Sequence, residues 1–596
     1  MVADKAKRPN QTCRTGCSGK TRRMEITAYA VLTGAFMLLV WMNAFYLDNW
    51  IDSDMAAEMI FSKLLAEEGG FLATPNWFYS TEFRVLYTQL FMQPLLMIFE
   101  DWYLVRMITN LLTYVLLVGS YLYMVKPLKV RKHVAVLTAT LLLLPFSETF
   151  ATHVHMGNTY MPHMIIICFV AGMFFRLTSG EKVRSFPRIF TCMIYVILCI
   201  ICGLSGVRYL LAIQAPLVLA ALTGILKSEL WKEFRRMPDT CKAKALLVGR
   251  EMRGFLYAML GAVSAVVGYG LNVIFVSSAF TFQTYEGTNF ISVYQGIFLE
   301  RLQNTLGSLL MLFGYIPDKG FVSARGLITM IAFALLGGIW FVTVRTGRLL
   351  KADGAGKLAG VDGVGKVAGT DAAGKLTGAD GAGGLRQEME QGSRQLRRLL
   401  LWLFISAFAL NTFVFVFTNS TIVPRYYLTV FLFVPALLAV YLEEEKLPVD
   451  KFIICACLCG CMLLTTAKTV YSYISTDKNQ DKRAVAAFLQ EEDYTFGYAT
   501  YWNANIITEL TDGQVEVANL YKARDLDEFH WSSPQKYYKD GYHSGKTFLL
   551  LTSEEAAECA DLPVVMEGNV VYRDEYYVVF HFENTEEFAD YKTVQP

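Results

Sequence analysis

The segment "ITAYAVLTGAFMLLVWMNAFYL" (Ile26–Leu47) is an apolar run long enough to cross a bilayer as a helix. It is directly followed by "NWIDSDMAAEM" (Asn49–Met59), which contains the acids Asp52, Asp54 and Glu58. The apolar run is longer than a signal-peptide core and lacks an obvious small-residue cleavage site, so we expect a retained signal anchor. Three acids therefore gather where the chain leaves the membrane.

The composition indicates a membrane protein with many spans. The 596 residues are 54% hydrophobic and 14% aromatic but only 18% charged, and the mean hydropathy is +0.35. These values exclude a single soluble domain. The net charge of +1 gives no indication of a nucleic-acid partner, and we expect none.

About eleven apolar segments have the length that a helical crossing needs. They lie near 26–47, 103–125, 134–146, 161–177, 189–204, 209–226, 254–278, 324–345, 399–418, 425–442 and 452–470. The segments between them alternate between basic and basic-poor, and cytoplasmic loops carry the excess of Lys and Arg. This alternation predicts a cytoplasmic N-terminus, provided that the apolar stretches 84–99 and 296–314 lie along the outer face.

Two regions differ from the apolar spans. A nine-residue Gly- and Ala-rich motif repeats within 352–387, and it has too few large apolar residues to form a core. We expect a flexible cytoplasmic insert; a neutral repeat expansion and a partner-binding segment both remain open. The polar, aromatic segment 471–596 contains one helical pattern, "DKRAVAAFLQEE", and four strand-like patterns, "YTFGYATYW", "QVEVANLY", "KTFLLLT" and "EYYVVFHF".

The predicted fold class is therefore an all-α polytopic membrane protein with a small extracytoplasmic α/β C-terminal domain. Its predicted parts are a cytoplasmic basic tail (1–25), a transmembrane module with an outer loop at 48–102 (26–345), the cytoplasmic repeat insert (346–398), the remaining transmembrane helices (399–470) and the outer α/β domain (471–596). We expect a multi-pass protein of the cell membrane.

An amphipathic helix is predicted directly after Asp52. Met55, Met59, Ile60 and Leu64 recur at helical spacing, with charged residues between them. Such a helix lies in the plane of the membrane interface. The acids of this first outer loop would then be held at the mouth of the helix bundle.

The second outer segment, "SETFATHVHMGNTYMPH" (Ser147–His163), combines histidines with an acid. The spacing of His153 and His155 is that of half a divalent-metal site, for which Asp54 and Glu148 are further candidate ligands. The cofactor would be a divalent metal such as Mg, Mn or Zn. A hydrated loop without a metal would give the same pattern.

Two arginines lie where spans meet the outer side. Arg208 in "LSGVRYLL" and Arg425 in "TIVPRYYLTVF" occupy positions that are costly for an arginine unless it is paired. A phosphate or carboxylate partner would supply that pairing. We therefore assign Arg208, Arg425, Tyr426 and Arg84 to a lipid phosphate or donor, whereas snorkelling to the interface is the alternative.

The order of these features resembles the GT-C class of integral-membrane glycosyltransferases, which includes the protein O-mannosyltransferases and the aminoarabinose transferase of lipid A. The resemblance begins with one span followed by the acidic motif "DSDMAAEM" and a second acid in "YSTEFRVLY". A span, a basic turn, a short span and the polar segment leading into "VHMGNTYMPHMIIICFVAG" follow. It extends over 26–226, over the later spans by architecture only, and loosely over the C-terminal domain.

The resemblance implies an inverting transfer from a polyprenyl-phosphate-linked sugar donor to an extracytoplasmic acceptor, which is a glycan, a lipid or a protein. It places the general base on Asp52, with Asp54 as the alternative, and the second acid of the first loop on Glu82. The chain departs from the class in the second outer loop, where Tyr160, Pro162 and His163 stand in place of an acid just before the helix.

Two other classes of protein compete with the transferase. A transporter or flippase for lipid-linked glycans would carry acids within its spans near the bilayer midplane, whereas the predicted spans are nearly free of Asp and Glu. A non-enzymatic cell-envelope binding or assembly protein would use its helices as an anchor, and about eleven spans exceed that need. The sequence therefore favours the membrane glycosyltransferase.

Overall fold

The computed structural model describes residues 12–179, 185–227, 242–283, 288–292, 296–317, 322–358 and 378–593. The α-helices are α1 (Thr12–Tyr46), α2 (Ser53–Glu68), α3 (Gln89–Leu96), α4 (Trp102–Val125), α5 (Lys132–Thr140), α6 (Glu148–Phe150), α7 (Met161–Thr178), α8 (Ser185–Leu204), α9 (Ala215–Leu226), α10 (Lys242–Leu271), α11 (Ser277–Ala279), α12 (Ile297–Leu312), α13 (Ala324–Leu358), α14 (Gly378–Phe417), α15 (Leu428–Phe431), α16 (Val434–Glu444), α17 (Pro448–Ser475), α18 (Gln480–Glu491), α19 (Tyr501–Leu510), α20 (Ser553–Glu558), α21 (Pro563–Met566) and α22 (Thr585–Thr593). The strands are β1 (Trp77–Tyr79), β2 (Thr281–Phe282), β3 (Phe496–Thr500), β4 (Glu516–Leu520), β5 (Ser533–Pro534), β6 (Thr547–Thr552), β7 (Asn569–Arg573) and β8 (Tyr577–Phe582).

The helical part has the apolar lengths of a polytopic membrane protein, as predicted. Nine helical segments of the described ranges are long and apolar enough to cross a bilayer. They are Thr21–Tyr46, Trp102–Leu128, Met161–Thr178, Phe186–Leu204, Met252–Ala279, Gly326–Lys351, Gly392–Phe417, Pro424–Glu444 and Pro448–Glu491. Each overlaps one of the predicted spans.

The two remaining predicted spans correspond to a bent pair of helical segments and to a shorter apolar helix. The third, 134–146, belongs to a pair of helical segments, Lys132–Leu143 and Glu148–Met156, that meet at 92°. Pro145 lies at this break and cannot continue a helix, while the Ser147 side chain accepts a hydrogen bond from the Phe150 amide and starts the next one. The sixth predicted span is the shorter helix Leu210–Leu226.

The apolar stretches expected along the outer face do form helices too short to count as spans. They are α3, with 8 residues, and α12, with 16. The middle of the repeat insert, residues 359–377, lies outside the described residues. The flanking parts of the repeat continue α13 to Leu358 and begin α14 at Gly378.

The C-terminal segment folds into the predicted α/β domain. Its five-stranded sheet has the order β4-β3-β6-β8-β7, in which β4, β3 and β6 are parallel and β8 is antiparallel to both β6 and β7. Apolar cores cover both faces of this sheet. The four predicted strands and the helix α18 are confirmed, whereas β7 was not predicted, and the end of "YTFGYATYW" turns into α19.

A second, three-stranded sheet joins distant parts of the chain. In it β1 pairs in parallel with β2 and antiparallel with β5. The loop between α2 and α3, the segment after α11 and the C-terminal domain thus share one set of backbone hydrogen bonds. This sheet holds the C-terminal domain against the loop that contains the acids.

Candidate active site

The first acid, Asp52, stands at the start of α2. Its extended backbone and its carboxylate, which accepts the Met55 amide hydrogen at 3.0 Å, cap the helix. Burial and the neighbouring charge of Asp54 raise the pKa of Asp52 to about 6, although the capping bond and Arg425 oppose the shift. A carboxyl group with that pKa is ionised at neutral pH and remains basic enough to accept a proton.

Asp54, two residues further on, is contacted by two distant segments. The Tyr501 hydroxyl of the C-terminal domain donates a hydrogen bond to Asp54 Oδ1 at 2.7 Å. Arg425, at the start of the span Pro424–Glu444, approaches Asp54 Oδ2 at 3.8 Å. The Asp54 and Arg425 side chains are each about one-third exposed, at 33% and 30%. The acids and the arginine therefore meet at one end of the helix bundle.

Arg208 and Glu82 form the next ion pair of the site. Arg208 Nε donates to Glu82 Oε1 at 2.7 Å, and both side chains are largely buried. The Arg208 guanidinium lies over the ring of Tyr160 at 5.2 Å and over that of Tyr426 at 5.5 Å. Tyr426 is thus a neighbour of Arg208 as well as of Arg425. Glu82 neutralises Arg208 and fixes its orientation.

Arg84 is engaged by Glu58, the third acid of the opening stretch. The two side chains form an ion pair, and the Arg84 guanidinium lies 4.7 Å from the centre of the Tyr87 ring. Burial raises the pKa of Glu58 although Arg84 opposes the shift. The Tyr87 hydroxyl in turn donates to the Thr159 carbonyl at 2.5 Å. Glu58 of α2 is thus linked through Arg84 and Tyr87 to the segment 147–163.

The four candidate metal ligands do not come together. His155 is fully buried, and its Nε2 lies 3.0 Å from the Leu142 carbonyl oxygen. Glu148 accepts a hydrogen bond from Lys468 Nζ at 2.7 Å. His153 lies beside Thr159, with its Nδ1 3.2 Å from the hydroxyl, and Asp54 is engaged as described above.

The described residues contain no group of three or more His, Cys, Asp or Glu side chains placed to hold a metal ion. Residues 151–156 form a π-helical turn, so the sequence neighbours His153 and His155 do not point to one centre. The predicted half-site is not formed. The four candidate side chains are not placed to share one metal ion.

A buried ion pair joins the C-terminal domain to the membrane helices. Arg106 of α4 is fully buried and donates two hydrogen bonds to the carboxylate of Glu509 in α19, at 2.6 and 2.8 Å. Arg106 Nη2 also donates to the Met55 carbonyl at 2.9 Å. The first turn of α2, which carries Asp52 and Asp54, is therefore fixed by both parts of the molecule.

Five of the site residues predicted from the sequence lie at one end of the bundle: Asp52, Asp54, Glu82, Arg208 and Arg425. The sequence did not predict Tyr501, Arg106, Glu509 or the pairing of Glu58. For Arg106 a signal was available, because an arginine inside an otherwise apolar span, "WYLVRMITNLL", needs a buried partner. For Tyr501 no signal was available, because it follows Asp54 by 447 residues.

No family model and no curated protein matches the chain. A search of solved structures returns glycosyltransferases of the GT-C class, which is the class that the sequence resembles. The oligosaccharyltransferase of Archaeoglobus fulgidus, solved with Zn and sulfate, is 14% identical with a TM-score of 0.43 over 91% of this chain and 71% of its own. ArnT from Cupriavidus metallidurans, solved with undecaprenyl phosphate, is 13% identical with a TM-score of 0.41 over 93% of this chain and 98% of its own.

Proposed function

We propose that this protein is a membrane glycosyltransferase that transfers a sugar from a polyprenyl-phosphate-linked donor to an extracytoplasmic acceptor. The observation that carries the proposal is that two acids and an arginine lie together at the ends of membrane spans. Arg425 Nη1 is 3.8 Å from Asp54 Oδ2, and Asp52 precedes Asp54 by two residues. A carboxylate beside a partly exposed arginine suits a reaction in which a proton is removed and a phosphate leaves.

In the proposed reaction Asp52 is the general base. It takes the proton from an acceptor hydroxyl, whose oxygen then bonds to the anomeric carbon of the donor sugar. The bond between that carbon and the phosphate oxygen breaks, and the electron pair leaves with the lipid phosphate. Attack from the face opposite the phosphate inverts the anomeric configuration. Asp52 is preferred over Asp54 because Asp54 is already held by Tyr501 and Arg425.

Arg425 is the proposed contact for the leaving phosphate. Its partner Asp54 is 3.8 Å away, so the guanidinium keeps hydrogen-bonding capacity for a ligand. Arg208 is paired more closely, with Glu82 at 2.7 Å, and lies against Tyr160 and Tyr426. We therefore propose that Arg208 supports the donor site from behind Tyr426, and that Glu82 orients Arg208 rather than acting as a second acid.

The proposal is tested by donor consumption. Purified protein in lipid is supplied with polyprenyl phosphates that carry different hexoses and pentoses, and release of polyprenyl phosphate is measured. We expect release from at least one donor in the presence of a hydroxyl acceptor. Folded protein that consumes none of these donors would contradict the proposal and favour a transport or binding role.

A further inference from the structure

Four aromatic side chains of the C-terminal domain are connected through ring contacts of Tyr501 and Phe529: Trp502, Tyr521, Phe529 and Trp531. Phe529 and Trp531 stack nearly parallel, with ring centres 5.8 Å apart and planes inclined by 6°. Phe529 also lies 5.2 Å from Tyr521. Trp502 and Tyr521 are 61% and 56% exposed. We call these four residues the aromatic platform.

The loop that carries most of the platform is held in one shape. The Tyr521 amide donates to the Asp527 carbonyl at 2.9 Å, and the Asn519 side-chain amide donates to the Trp531 carbonyl at 3.0 Å. The Tyr538 hydroxyl donates to the Phe529 carbonyl at 3.1 Å. A platform fixed in this way loses little conformational entropy when a ligand binds.

The same loop is attached to the first outer loop. His530 stacks on Phe78 of β1, with ring centres 4.2 Å apart and planes inclined by 9°. The loop ends in β5, which pairs with β1. The platform is therefore positioned by the segment that also carries Glu82, rather than by the C-terminal domain alone.

The platform also reaches the proposed catalytic acids. The ring of Phe529 lies 5.7 Å from that of Tyr501, and the Tyr501 hydroxyl donates to Asp54 at 2.7 Å. Trp502 follows Tyr501 directly, and their ring centres are 5.2 Å apart. Tyr501 therefore links the platform to the acid Asp54.

The surroundings of the rings indicate the chemistry of that ligand. Exposed rings with a polar tip bind partners that offer both an apolar face and hydrogen-bonding edges. The neighbouring loop residues are exposed and charged rather than aliphatic: Lys522, Asp525, Asp527 and Glu528. A saccharide ring has C–H groups on its faces and hydroxyl groups at its rim, and it matches both features.

We propose that the aromatic platform binds the acceptor, and that this acceptor is a saccharide whose rings stack on Trp502 and Tyr521. The inference rests on the proposed function, because the platform would present an acceptor hydroxyl to Asp52. It goes further by naming the acceptor class and the surface that selects it.

The test measures binding without any donor. The full chain in detergent is titrated with chitotetraose, cellotetraose, maltotetraose and mannotetraose, and saturation transfer to the saccharide is followed by NMR. We expect at least one of them to bind, and Trp502→Ala and Tyr521→Ala each to weaken binding about three- to tenfold. Trp502→Phe keeps a ring and should retain most of the affinity. The matched control is Tyr576→Ala, an equally exposed tyrosine in the turn between β7 and β8.

Two results would overturn the proposal. One is the absence of binding by all four saccharides, or equal binding by the platform variants and the control. The other is tryptophan quenching by brominated lipids that is lost in Trp502→Phe, in vesicles and without saccharide binding, which would make Trp502 a membrane-interface anchor. Since no donor is present, these results concern the platform alone, whereas failure of donor consumption concerns the proposed transfer.

Discussion

At the scale of single residues, Asp52 combines a structural and a chemical property. It caps α2, which fixes the position of its carboxylate, and it is half-buried near the charge of Asp54. The loss of solvation and then the Asp54 charge raise the pKa of Asp52 to about 6. The Met55 backbone amide thus holds the carboxylate of the proposed base in place, and the charge of Asp54 raises its pKa.

The pH dependence of transfer follows from this pKa. A general base must be deprotonated, so activity should fall as the pH drops through about 6. Asp54→Asn removes the negative charge that raises the pKa of Asp52, so the acidic limb should move to lower pH. The measurement is kcat/KM against pH for both proteins. A limb that stays in place, or that moves upward, would contradict the proposed coupling.

The second residue-scale prediction concerns Arg425. Arg425→Ala removes a charged donor to the leaving phosphate, and kcat/KM for the lipid donor should fall about ten- to hundredfold. The control is Arg524→Ala, because Arg524 pairs with Asp561 and both side chains are more than half exposed. Donor kinetics that are unchanged in the Arg425 variant would remove this residue from the phosphate site.

Residue chemistry was predictable where it left a local pattern. Asp52 and Asp54 directly follow a span, and Arg425 lies at a span boundary, so all three could be predicted from the sequence alone. The pairing of Arg208 with Glu82 was not predictable, because no local spacing links residues 126 positions apart. The spacing of His153 and His155 predicted a metal half-site, but it could not show that the π-helical turn separates the two side chains.

At the scale of elements, α2 is the component on which the site depends. Its N-terminal turn touches α4 through the Met55 carbonyl and α19 through Ser53, whose hydroxyl donates to the Tyr501 carbonyl. The end of α2 is closed by Gly69, which has a left-handed backbone that favours glycine. A short helix fixed at its start by two neighbours holds Asp52 in a constant place.

The buried pair of Arg106 and Glu509 should be essential to this arrangement. Glu509→Leu leaves Arg106 buried without its partner, and we expect a loss of about 3–5 kcal/mol of stability. The double variant Arg106→Met, Glu509→Leu should recover a large part of it. Thermal and denaturant unfolding of the purified protein measure both effects.

The comparison pair is Arg131 and Glu443, in which Arg131 is 53% exposed. Glu443→Gln should cost less than about 1 kcal/mol, because an exposed ion pair contributes little. If Glu509→Leu is no more destabilising than Glu443→Gln, the C-terminal domain does not depend on this ion pair for its attachment.

Elements were predictable where one periodicity continues over many residues. The long apolar runs and the alternating strands of the C-terminal domain gave the spans and four strands. The bend near Pro145, at the end of one expected span, was not predicted, since apolar composition does not reveal a 92° bend. The three-stranded sheet was missed because β2 and β5 have two residues each, too few for any pattern.

At the scale of the whole molecule, the helices form one apolar bundle and the acids, arginines and C-terminal domain gather at one of its ends. The excess of Lys and Arg in alternate loops predicts that this end faces away from the cytoplasm. A lipid-borne donor and a water-borne acceptor can meet only at such an interface. The orientation of the chain is therefore part of the proposed mechanism.

Cysteine labelling tests this orientation. In intact cells a membrane-impermeant maleimide should label Tyr576→Cys, in an exposed turn of the C-terminal domain. It should not label Lys132→Cys, at the exposed start of α5 in a basic segment, until the membrane is opened. The unsubstituted chain gives the background from its own cysteines. Labelling of Lys132→Cys alone in intact cells would place the site on the cytoplasmic side.

The central claim is that Asp52 removes the acceptor proton, and one paired measurement tests it most directly. Asp101 caps α4 as Asp52 caps α2, with a carboxylate that accepts an amide hydrogen at 2.9 Å. Since asparagine caps helices as well as aspartate, Asp52→Asn and Asp101→Asn should both keep the fold.

Transfer by the two variants is compared at neutral pH. We expect Asp52→Asn to lose kcat by roughly a hundredfold or more while it still binds the donor, and Asp101→Asn to retain nearly full activity. Near-normal transfer by Asp52→Asn would contradict the account and remove Asp52 from the mechanism.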